Sequence, residues 1–277
     1  MGRLFVGFIV AVSTFAFTQC ALAASPPPPG FSWTGFYIGA NLGGGWGRRD
    51  VTYAPNDPVA GDLFTSGHSF ETPPATSFDV NGVIGGIQLG YNYQFARNWL
   101  AGLEADFDWS GMKGSTTSIF DSNTLSTTVD EHIKWFGTVR ARLGYLPMDN
   151  LLAYITGGFA YGRVEHSANF NNLSNGFGVN NGAPLGATIG FDCVGFSTCF
   201  AGSSSDIATG WTLGGGLEYA LWQNWMLRAE YLYVSLASKS VTEIALSSGC
   251  TCAPASFNAN FSRTNFNVAR LGVNYRF

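Results

Sequence analysis

The clearest shortage in the sequence is electrical charge. Only 12% of the 277 residues are Asp, Glu, Lys or Arg, against about 25% in ordinary soluble domains. Long apolar runs are also missing after the first twenty residues, because Gly, Asn and Thr interrupt them, and this excludes a membrane-spanning helix there. A formal net charge of -4 excludes nucleic acid as a partner. Glycine (36 residues) and aromatic side chains (15%) are abundant instead, which indicates that much of the surface contacts something other than water.

The N-terminus has the three parts of a secretory signal. A positive charge precedes an apolar run too short to span a membrane, and small residues around Ala23 form a cleavage site. We therefore predict a signal peptide over residues 1–23 and a stiff, Pro-rich periplasmic lead-in over residues 24–33. Lipoprotein processing at Cys20 is a second interpretation, which Gln19 disfavours because such processing requires a small residue before the cysteine.

Four cysteines follow the predicted signal peptide, and they predict disulfides. An exported protein meets an oxidising compartment, where an even number of cysteines favours bond formation. The Cys-x-Cys spacing of the last two strains a bridge within that pair, so a bond between the two cysteine-bearing segments stays an equal alternative. Neither pair has the spacing of zinc ligands and no His lies near, so no metal is predicted. The candidate disulfide residues are Cys193, Cys199, Cys250 and Cys252.

Eight segments alternate apolar and polar side chains at every second residue, which is typical of strands with two unlike faces. The clearest segment has Trp99, Leu103 and Phe107 on one face and Glu104 and Asp108 on the other. The predicted strands cover residues 34–46, 80–95, 99–110, 132–147, 151–165, 207–221, 225–237 and 264–277.

The connections between these strands alternate between tight turns and long loops. The tight turns are 96–98, 148–150 and 222–224, and the long loops, rich in Ser, Asn, Gly and Thr, are 47–79, 111–131, 166–206 and 238–263. Transmembrane barrels have short periplasmic turns, long extracellular loops, an even strand number and apolar side chains outside. The sequence therefore predicts an all-β protein, an eight-stranded antiparallel transmembrane up-and-down barrel over residues 34–277.

Aromatic residues on the apolar faces lie toward strand ends rather than in mid-strand. Two bands of amphipathic rings are favoured at the two membrane interfaces, whereas the core of a soluble sandwich would hold such rings in the middle of its strands. The tryptophans of the predicted aromatic girdle are Trp46, Trp99, Trp109, Trp135, Trp211 and Trp225.

The inward faces carry five acidic and five basic side chains. This balance favours mutual pairing over an ion-selective lining, and an eight-stranded barrel is just wide enough for side chains to fill it. Register at the last tight turn predicts Glu218 opposite Arg228, and Glu104 is expected to reach Arg140. A gated ion or proton path through the same charges is the alternative. The predicted lumen network is Glu104, Asp106, Asp108, Arg140, Arg142, Glu218, Arg228, Glu230, Arg270 and Arg276.

Candidate catalytic residues are few. The three histidines are His68, His132 and His166, and hydrolytic chemistry requires a base beside a nucleophile. Asp130 and His132 would share one strand face, whereas His166 and Ser167 fall on opposite faces and cannot easily act as a dyad. We therefore predict no enzymatic activity and no cofactor.

The start of the first strand, Trp33–Gly39 followed by Gly43–Gly47, and the terminal Arg270–Phe277 resemble the alphaproteobacterial family of small outer-membrane surface barrels. These are OmpA-like and often labelled porin family. The resemblance covers essentially the whole mature chain and implies a surface antigen in the outer membrane of a Gram-negative bacterium. It also implies that Phe277, with Tyr275, forms a signal read by the barrel-assembly machinery.

Three functions remain open. The first is a structural surface protein whose charge-paired, plugged lumen contributes to envelope integrity, with outer-membrane lipid, lipopolysaccharide and the barrel-assembly machinery as partners. The second is an adhesin or receptor that binds haem or a host ligand through the long loops, for which the Asn-, Gly- and Ser-rich segment 166–206 has a suitable composition. The third is a narrow ion channel.

Overall fold

The protein is described here by a computed structural model, which covers residues 32–57, 73–120, 124–173, 197–246 and 256–277. The predicted signal peptide, residues 1–23, lies outside these ranges. In the covered part of the chain, no helix combines the length and apolarity needed to cross a bilayer. The strands are β1 (Gly35–Pro55), β2 (Thr76–Ala96), β3 (Trp99–Phe120), β4 (Leu125–Met148), β5 (Leu151–Asn172), β6 (Ser197–Trp222), β7 (Trp225–Leu236), β8 (Lys239–Ala245), β9 (Ser256–Phe261) and β10 (Thr264–Arg276).

These strands close into an antiparallel ring of eight members. Strands β1 to β7 pair in chain order, β7 pairs with β10, and β10 pairs with β1. Closure pairs the first strand with the last, so the ring has no free edge in the hydrocarbon, where every unpaired backbone group would be costly. The predicted eight-stranded transmembrane barrel is confirmed.

Two of the eight members are interrupted on the extracellular side. β8 continues the direction of β7 after Ala237 and Ser238, and β9 precedes β10 with a break at Ser262 and Arg263. Above the breaks, β1 pairs with β9 and β9 pairs with β8. The extracellular part of the barrel therefore continues the same ring through two kinks, which accounts for ten strands in an eight-membered wall.

The three predicted tight turns are confirmed, each with two residues between its strands. In the β6–β7 turn, Gln223 adopts a positive φ of 40°, which two-residue hairpins commonly require. Leu221 is bulged out of register, so Ala220 faces Met226 and Glu218 faces Arg228. The predicted opposition of Glu218 and Arg228 is therefore confirmed.

The strands extend much further toward the extracellular side than the alternation predicted. β3 ends at Phe120, β4 begins at Leu125, and β6 begins at Ser197, so much of the predicted loops 111–131 and 166–206 is strand. The predicted strand ends on this side were therefore wrong. The periplasmic ends lie close to where they were predicted.

The alternation failed to predict these strand ends because the apolar and polar faces of the wall exchange places above the membrane. Beyond the girdle the inward side chains are apolar and buried, as Val51, Val129 and Phe170 are, while outward residues such as Thr52 and Thr117 are exposed. Outward positions there contact water rather than acyl chains. A pattern with apolar residues outside therefore describes only the part of the wall within the membrane.

In the middle of the wall, apolar side chains lie on the outside, where they contact lipid, and charged side chains lie inside. Leu271 is 63% exposed on the outside, whereas Glu104 is 3% exposed inside. Trp99 and Trp109 lie ten residues apart on β3, which at about 3.3 Å per residue and a tilt of about 40° spans about 25 Å. This height matches the apolar band of an outer-membrane barrel.

Candidate functional site

The barrel interior collects the charges that the sequence assigned to the lumen. Nine of the ten side chains are buried, and they come from β3, β4, β6, β7 and β10. We call these nine the charge cluster: Glu104, Asp106, Asp108, Arg140, Arg142, Glu218, Arg228, Glu230 and Arg270. The tenth, Arg276, is half-buried at the periplasmic end of β10, in register with Tyr37.

Arg228 spans the lumen. Its two terminal nitrogens donate hydrogen bonds to Glu104, at 2.7 and 2.8 Å, and its Nε donates to the hydroxyl of Tyr154 at 2.7 Å. It also contacts Glu230, two residues away on the same strand. This arginine therefore links β7 with β3 and β5. Hydrogen bonds that involve a charged group are stronger than those between neutral groups.

Arg140 is the second centre of the charge cluster. It donates to Glu104, to Asp106 at 2.8 Å and to Glu230 at 3.1 Å. The predicted contact between Glu104 and Arg140 is therefore present in the structure. Glu104 faces Gly90 on β2, and the ring of Tyr37 occupies the space over that glycine, so that its hydroxyl reaches Glu104.

Arg270 completes the network from β10. It donates to Asp108 at 2.5 Å, to Asp106 at 2.6 Å and to Glu230 at 2.6 Å. Each of these carboxylates comes from a strand other than β10, so the arginine connects β10 with β3 and β7. The backbone ladder alone connects β10 only with its two neighbours.

Glu218 differs from its predicted pairing. Its carboxylate lies 2.9 Å from Arg142 and 3.7 Å from Arg228, although Arg228 is its register partner. The side chain of Arg228 extends across the lumen to Glu104, which leaves Arg142 as the nearer partner. Opposite positions on a ladder therefore did not determine which charges meet.

Two tyrosines in the charge cluster's surroundings were missed by the sequence reasoning. Tyr37 donates to Glu104 at 2.5 Å and accepts from Arg142 at 2.7 Å. The guanidinium carbon of Arg142 lies 3.9 Å from the ring centroid of Tyr154, a cation–π contact. Both tyrosines occupy inward positions of the alternation, and that position is the signal that identifies them.

Apolar side chains fill the lumen on both sides of the charge cluster. The periplasmic apolar layer is Trp33, Tyr37, Leu100, Leu146, Leu152, Tyr154, Ala220 and Met226. The extracellular apolar layer is a larger group that includes Ile84, Met112, Ile133, Phe136, Leu232, Phe266 and Val268. Within the membrane-spanning part of the barrel the interior is thus polar only in its middle, whereas the alternation predicted a polar face along the whole of each strand.

Trp33 closes the periplasmic end. It is the last residue of the predicted lead-in, yet it is buried within the periplasmic apolar layer. Its indole nitrogen donates to the carbonyl of Asp149 at 3.0 Å, in the β4–β5 turn. The part of the lead-in nearest the barrel therefore belongs to the packed interior.

A second buried ion group lies above the extracellular apolar layer. Arg49 donates to Glu131 at 2.7 to 2.8 Å and to the carbonyls of Arg263 and Asn265 at 3.0 and 3.3 Å. His166 lies 3.3 Å from Glu131. Burial favours the protonated carboxyl, but contacts with His166 and Arg49 outweigh it and lower the pKa of Glu131. Arg49 thus bridges the break between β9 and β10.

Glu243 is a buried carboxyl of a different kind. It is fully buried on β8, and neither of its oxygens has a hydrogen-bond partner among the residues that the structure describes. Burial raises its pKa to about 8, because an apolar environment penalises the charged form. Burial and the charge of Glu243 also raise the pKa of Tyr53.

The predicted girdle residues lie on the outer surface in aromatic groups. On the periplasmic side, Trp99 lies 5.2 Å from Tyr145 between ring centroids, and Trp225 lies 5.1 Å from Tyr275. Extracellular contacts join Trp135 to Tyr161, Trp211 to Tyr233, Trp46 to Tyr231, and Phe107 to both Trp109 and Trp135.

The C-terminal residue completes the periplasmic group. Phe277 is exposed, its ring lies 5.4 Å from that of Tyr275, and its backbone N–H donates to the carbonyl of Phe36 at 3.0 Å. An assembly signal formed by Phe277 and Tyr275 remains a prediction.

The two described histidines do not form a dyad with Ser167. His166 is buried inside the barrel, whereas Ser167 faces outward and donates to Asp130 at 3.0 Å. His132 lies on the outer face, and His68 lies outside the described residues.

Cys199 is disulfide-bonded, and its partner lies outside the described residues. The other candidate cysteines, Cys193, Cys250 and Cys252, also lie outside them. The three pairings that four cysteines allow therefore stay open.

Within the described part of the chain, one group of carboxylates has ligand atoms close enough for a metal. Oxygens of Glu104, Asp106 and Glu230 lie within 4.8 Å of one another. Arg140 and Arg270 both donate hydrogen bonds to this group. The arginines therefore supply the positive charge that a cation would bring.

Comparison with known proteins agrees with this geometry. Residues 8–277 match the family described as "Outer membrane protein beta-barrel domain". The chain belongs to that family. The 31 kDa outer-membrane immunogenic protein of Brucella melitensis is 34% identical over 258 residues, which cover 91% of this chain and 86% of that protein. The 22 kDa outer membrane protein of Rhizobium leguminosarum is 27% identical over 253 residues, which cover 91% and 82%.

These relatives place this barrel in the outer membrane of a Gram-negative bacterium, and they are outer-membrane or immunogenic proteins rather than known enzymes. Outer-membrane location brings contact with lipid and lipopolysaccharide. The solved structure of OprG from Pseudomonas aeruginosa has a TM-score of 0.41 and 11% identity, with coverage of 88% of this chain and 97% of that one. That likeness is too distant to bear on function.

Proposed function

We propose that this protein is a structural component of the outer membrane, a sealed barrel that holds an extracellular extension at the cell surface and contributes to envelope integrity. The observation that carries the proposal is the interlocking of the charge cluster, in which each arginine contacts at least two carboxylates. A solute crossing the lumen would have to separate these buried pairs, which is costly.

The extracellular apolar layer supports the same proposal. Phe136 and Phe266 pack edge to face, with ring centroids 5.3 Å apart, and both are buried. An ion entering this layer would lose its hydration without gaining a partner. The channel hypothesis is therefore less well supported than the structural one.

Single-channel recording of the refolded barrel in a planar bilayer tests the proposal. We expect no conductance steps from the natural chain. The matched comparison is the variant Phe136→Ala with Phe266→Ala. It removes two rings from the extracellular apolar layer and leaves every charge in place. Steps in the natural chain that change with Glu104→Gln would establish a channel and contradict the proposal.

A deletion separates the structural role from an adhesin or receptor role. Residues 174–196 join β5 to β6, and Asn172 is in register with Ser197, so replacing them with a two-residue Asn-Gly turn spares both strands, unlike removal of the whole predicted loop 166–206. A strain that lacks the protein is complemented with either the full chain or the deletion variant, and its resistance to detergent is measured. We expect both to restore resistance equally. Failure of the deletion variant, despite a folded barrel, would place the function in the loop.

A further inference from the structure

A groove on the outer wall lies just above the extracellular aromatic band. Its cavity has a volume of about 830 Å³, and its described lining comes from four neighbouring strands, β3 to β6. Register places Lys113, His132 and Glu165 side by side across β3, β4 and β5. The serines that also line the groove are Ser115, Ser167, Ser203, Ser204 and Ser205. We call this feature the outer-wall groove.

The height of the outer-wall groove corresponds to the headgroups of the outer leaflet. His132 lies three residues beyond Trp135 on β4, which at about 3.3 Å per residue and a tilt of about 40° is about 8 Å above the aromatic band. Aromatic rings of the girdle lie at the level of lipid headgroups. The groove therefore starts at the phosphate level and continues toward the sugars.

Basic residues lie along the membrane-side edge of the groove: Lys113 belongs to its lining, and Lys134 and Arg163 lie beside that lining on β4 and β5. Arg163 is in register with Trp135 itself, and Lys113 lies in the first row above the band. Lys134 projects at a bulge between these rows and lies 3.0 Å from Glu165. Three cations thus face one carboxylate at this level, so the membrane side of the groove carries a net positive charge.

The upper part of the groove offers neutral and acidic hydrogen-bonding groups. Asp130 accepts a hydrogen bond from Ser167 at 3.0 Å. Partial burial and the positive charges of Lys134 and Lys113 lower the pKa of His132, which favours its neutral imidazole. Hydroxyl, imidazole and carboxylate groups suit the hydroxyls of a sugar.

We propose that the outer-wall groove binds the phosphorylated disaccharide headgroup of lipopolysaccharide. The basic side chains Lys113, Lys134 and Arg163 contact its phosphate, and the serines with His132 contact its sugar hydroxyls. A phospholipid headgroup is too short to occupy both levels. This binding site depends on the outer-membrane location and not on a sealed lumen, so failure of either proposal leaves the other standing.

Native mass spectrometry of the refolded barrel tests the site, with bis-phosphorylated lipid A as the probe. We expect one lipid A retained per barrel at equimolar mixing. The variant Lys113→Gln with Arg163→Gln should bind at least tenfold more weakly, because it removes two phosphate contacts. Both side chains are exposed, so the barrel is expected to fold normally, which the gel mobility of the unheated variant verifies.

A control variant removes the same charge on the other side of the ring. Arg48 is exposed two residues beyond Trp46 on β1, and Arg263 is exposed at the break between β9 and β10. Arg48→Gln with Arg263→Gln should change lipid A binding less than twofold. Equal weakening by the two double variants would mean general charge attraction and would overturn the site.

Two further probes distinguish the source of the phosphate. Lipid A without phosphates should bind at least tenfold more weakly than the bis-phosphorylated form, and an excess of inorganic phosphate should not displace bound lipid A. Complete displacement by inorganic phosphate would show a simple anion site and overturn the headgroup assignment. Equal retention of phosphatidylethanolamine would also overturn it.

Discussion

Glu104 and Arg228 join opposite walls of the barrel. They lie on β3 and β7, which are separated by three ring members in either direction, and two hydrogen bonds of 2.7 and 2.8 Å connect them. Backbone ladders hold each strand only to its neighbours. The pair therefore braces the barrel across its diameter.

Replacing one member of this pair should destabilise the barrel more than replacing both. Arg228→Leu leaves Glu104 and Glu230 buried with fewer partners, and breaking a buried pair in this way typically costs about 3 to 5 kcal/mol. Glu104→Gln with Arg228→Leu removes the surplus charge and should recover part of the loss. The measurement is the temperature at which the folded band on an unheated detergent gel converts to the unfolded one.

Arg48→Leu is the matched control for this pair, since it removes an exposed outward arginine from β1. We expect a change within about 0.5 kcal/mol, as at other exposed positions. If the losses of Arg228→Leu alone and Glu104→Gln alone simply added in the double variant, Glu104 and Arg228 would not be coupled.

Arg49→Gln should open the break between β9 and β10. Arg49 is the side chain that joins Glu131 to the carbonyls of Arg263 and Asn265. Its loss removes the guanidinium from a buried carboxylate and from both carbonyls, so local opening should become easier. Limited trypsin digestion measures this opening as the rate of cleavage after Arg263, which is exposed.

Cleavage after Arg263 should accelerate at least fivefold in Arg49→Gln. Arg48→Gln, at the neighbouring outward position, should leave the rate unchanged. Equal rates in the natural chain and Arg49→Gln would show that the break is held by other contacts.

Glu243 should make the extracellular extension less stable as the pH rises. Its pKa is about 8 in the fold, against an ordinary value of 4.5. Between these two values the unfolded segment loses its proton and the folded one keeps it, so the free energy of unfolding falls. The slope is at most about 1.4 kcal/mol per pH unit, and it ends above pH 8.

Glu243→Gln should remove this contribution, while Glu165→Gln, at an outward and partly exposed position, should retain it. Protease resistance of the extension at pH 5 and pH 8.5 measures the difference. An identical pH dependence in the natural chain and Glu243→Gln would contradict the buried, protonated state.

The sequence predicted the membrane-spanning part of the fold, where apolar and polar residues alternate regularly along every strand. Between the two aromatic bands each strand has lipid on one side and a polar interior on the other, so residues such as Leu271 and Arg270 identify their faces by alternation alone. Tight turns were equally visible, because two-residue connections fix the register. Beyond the bands the outside contacts water, and Val129 and Phe170 occupy the face that the membrane pattern reserves for polar residues.

Contacts across the lumen could not be predicted from local patterns. Register correctly set Glu218 opposite Arg228, yet Arg228 reaches Glu104 on the far wall. Such a contact depends on the diameter of the closed ring and on which long side chains extend across it. Tyr154, for the same reason, gave no sign of its contacts with Arg228 and Arg142.

The buried position of Trp33 makes its fluorescence an intrinsic probe of barrel closure. The tryptophan packs in a layer whose other members come from six different strands, β1 and β3 through β7. It can reach its final environment only when those strands are wound around it. Its fluorescence should therefore shift to the blue at the last step of refolding, after the outward tryptophans have entered the lipid.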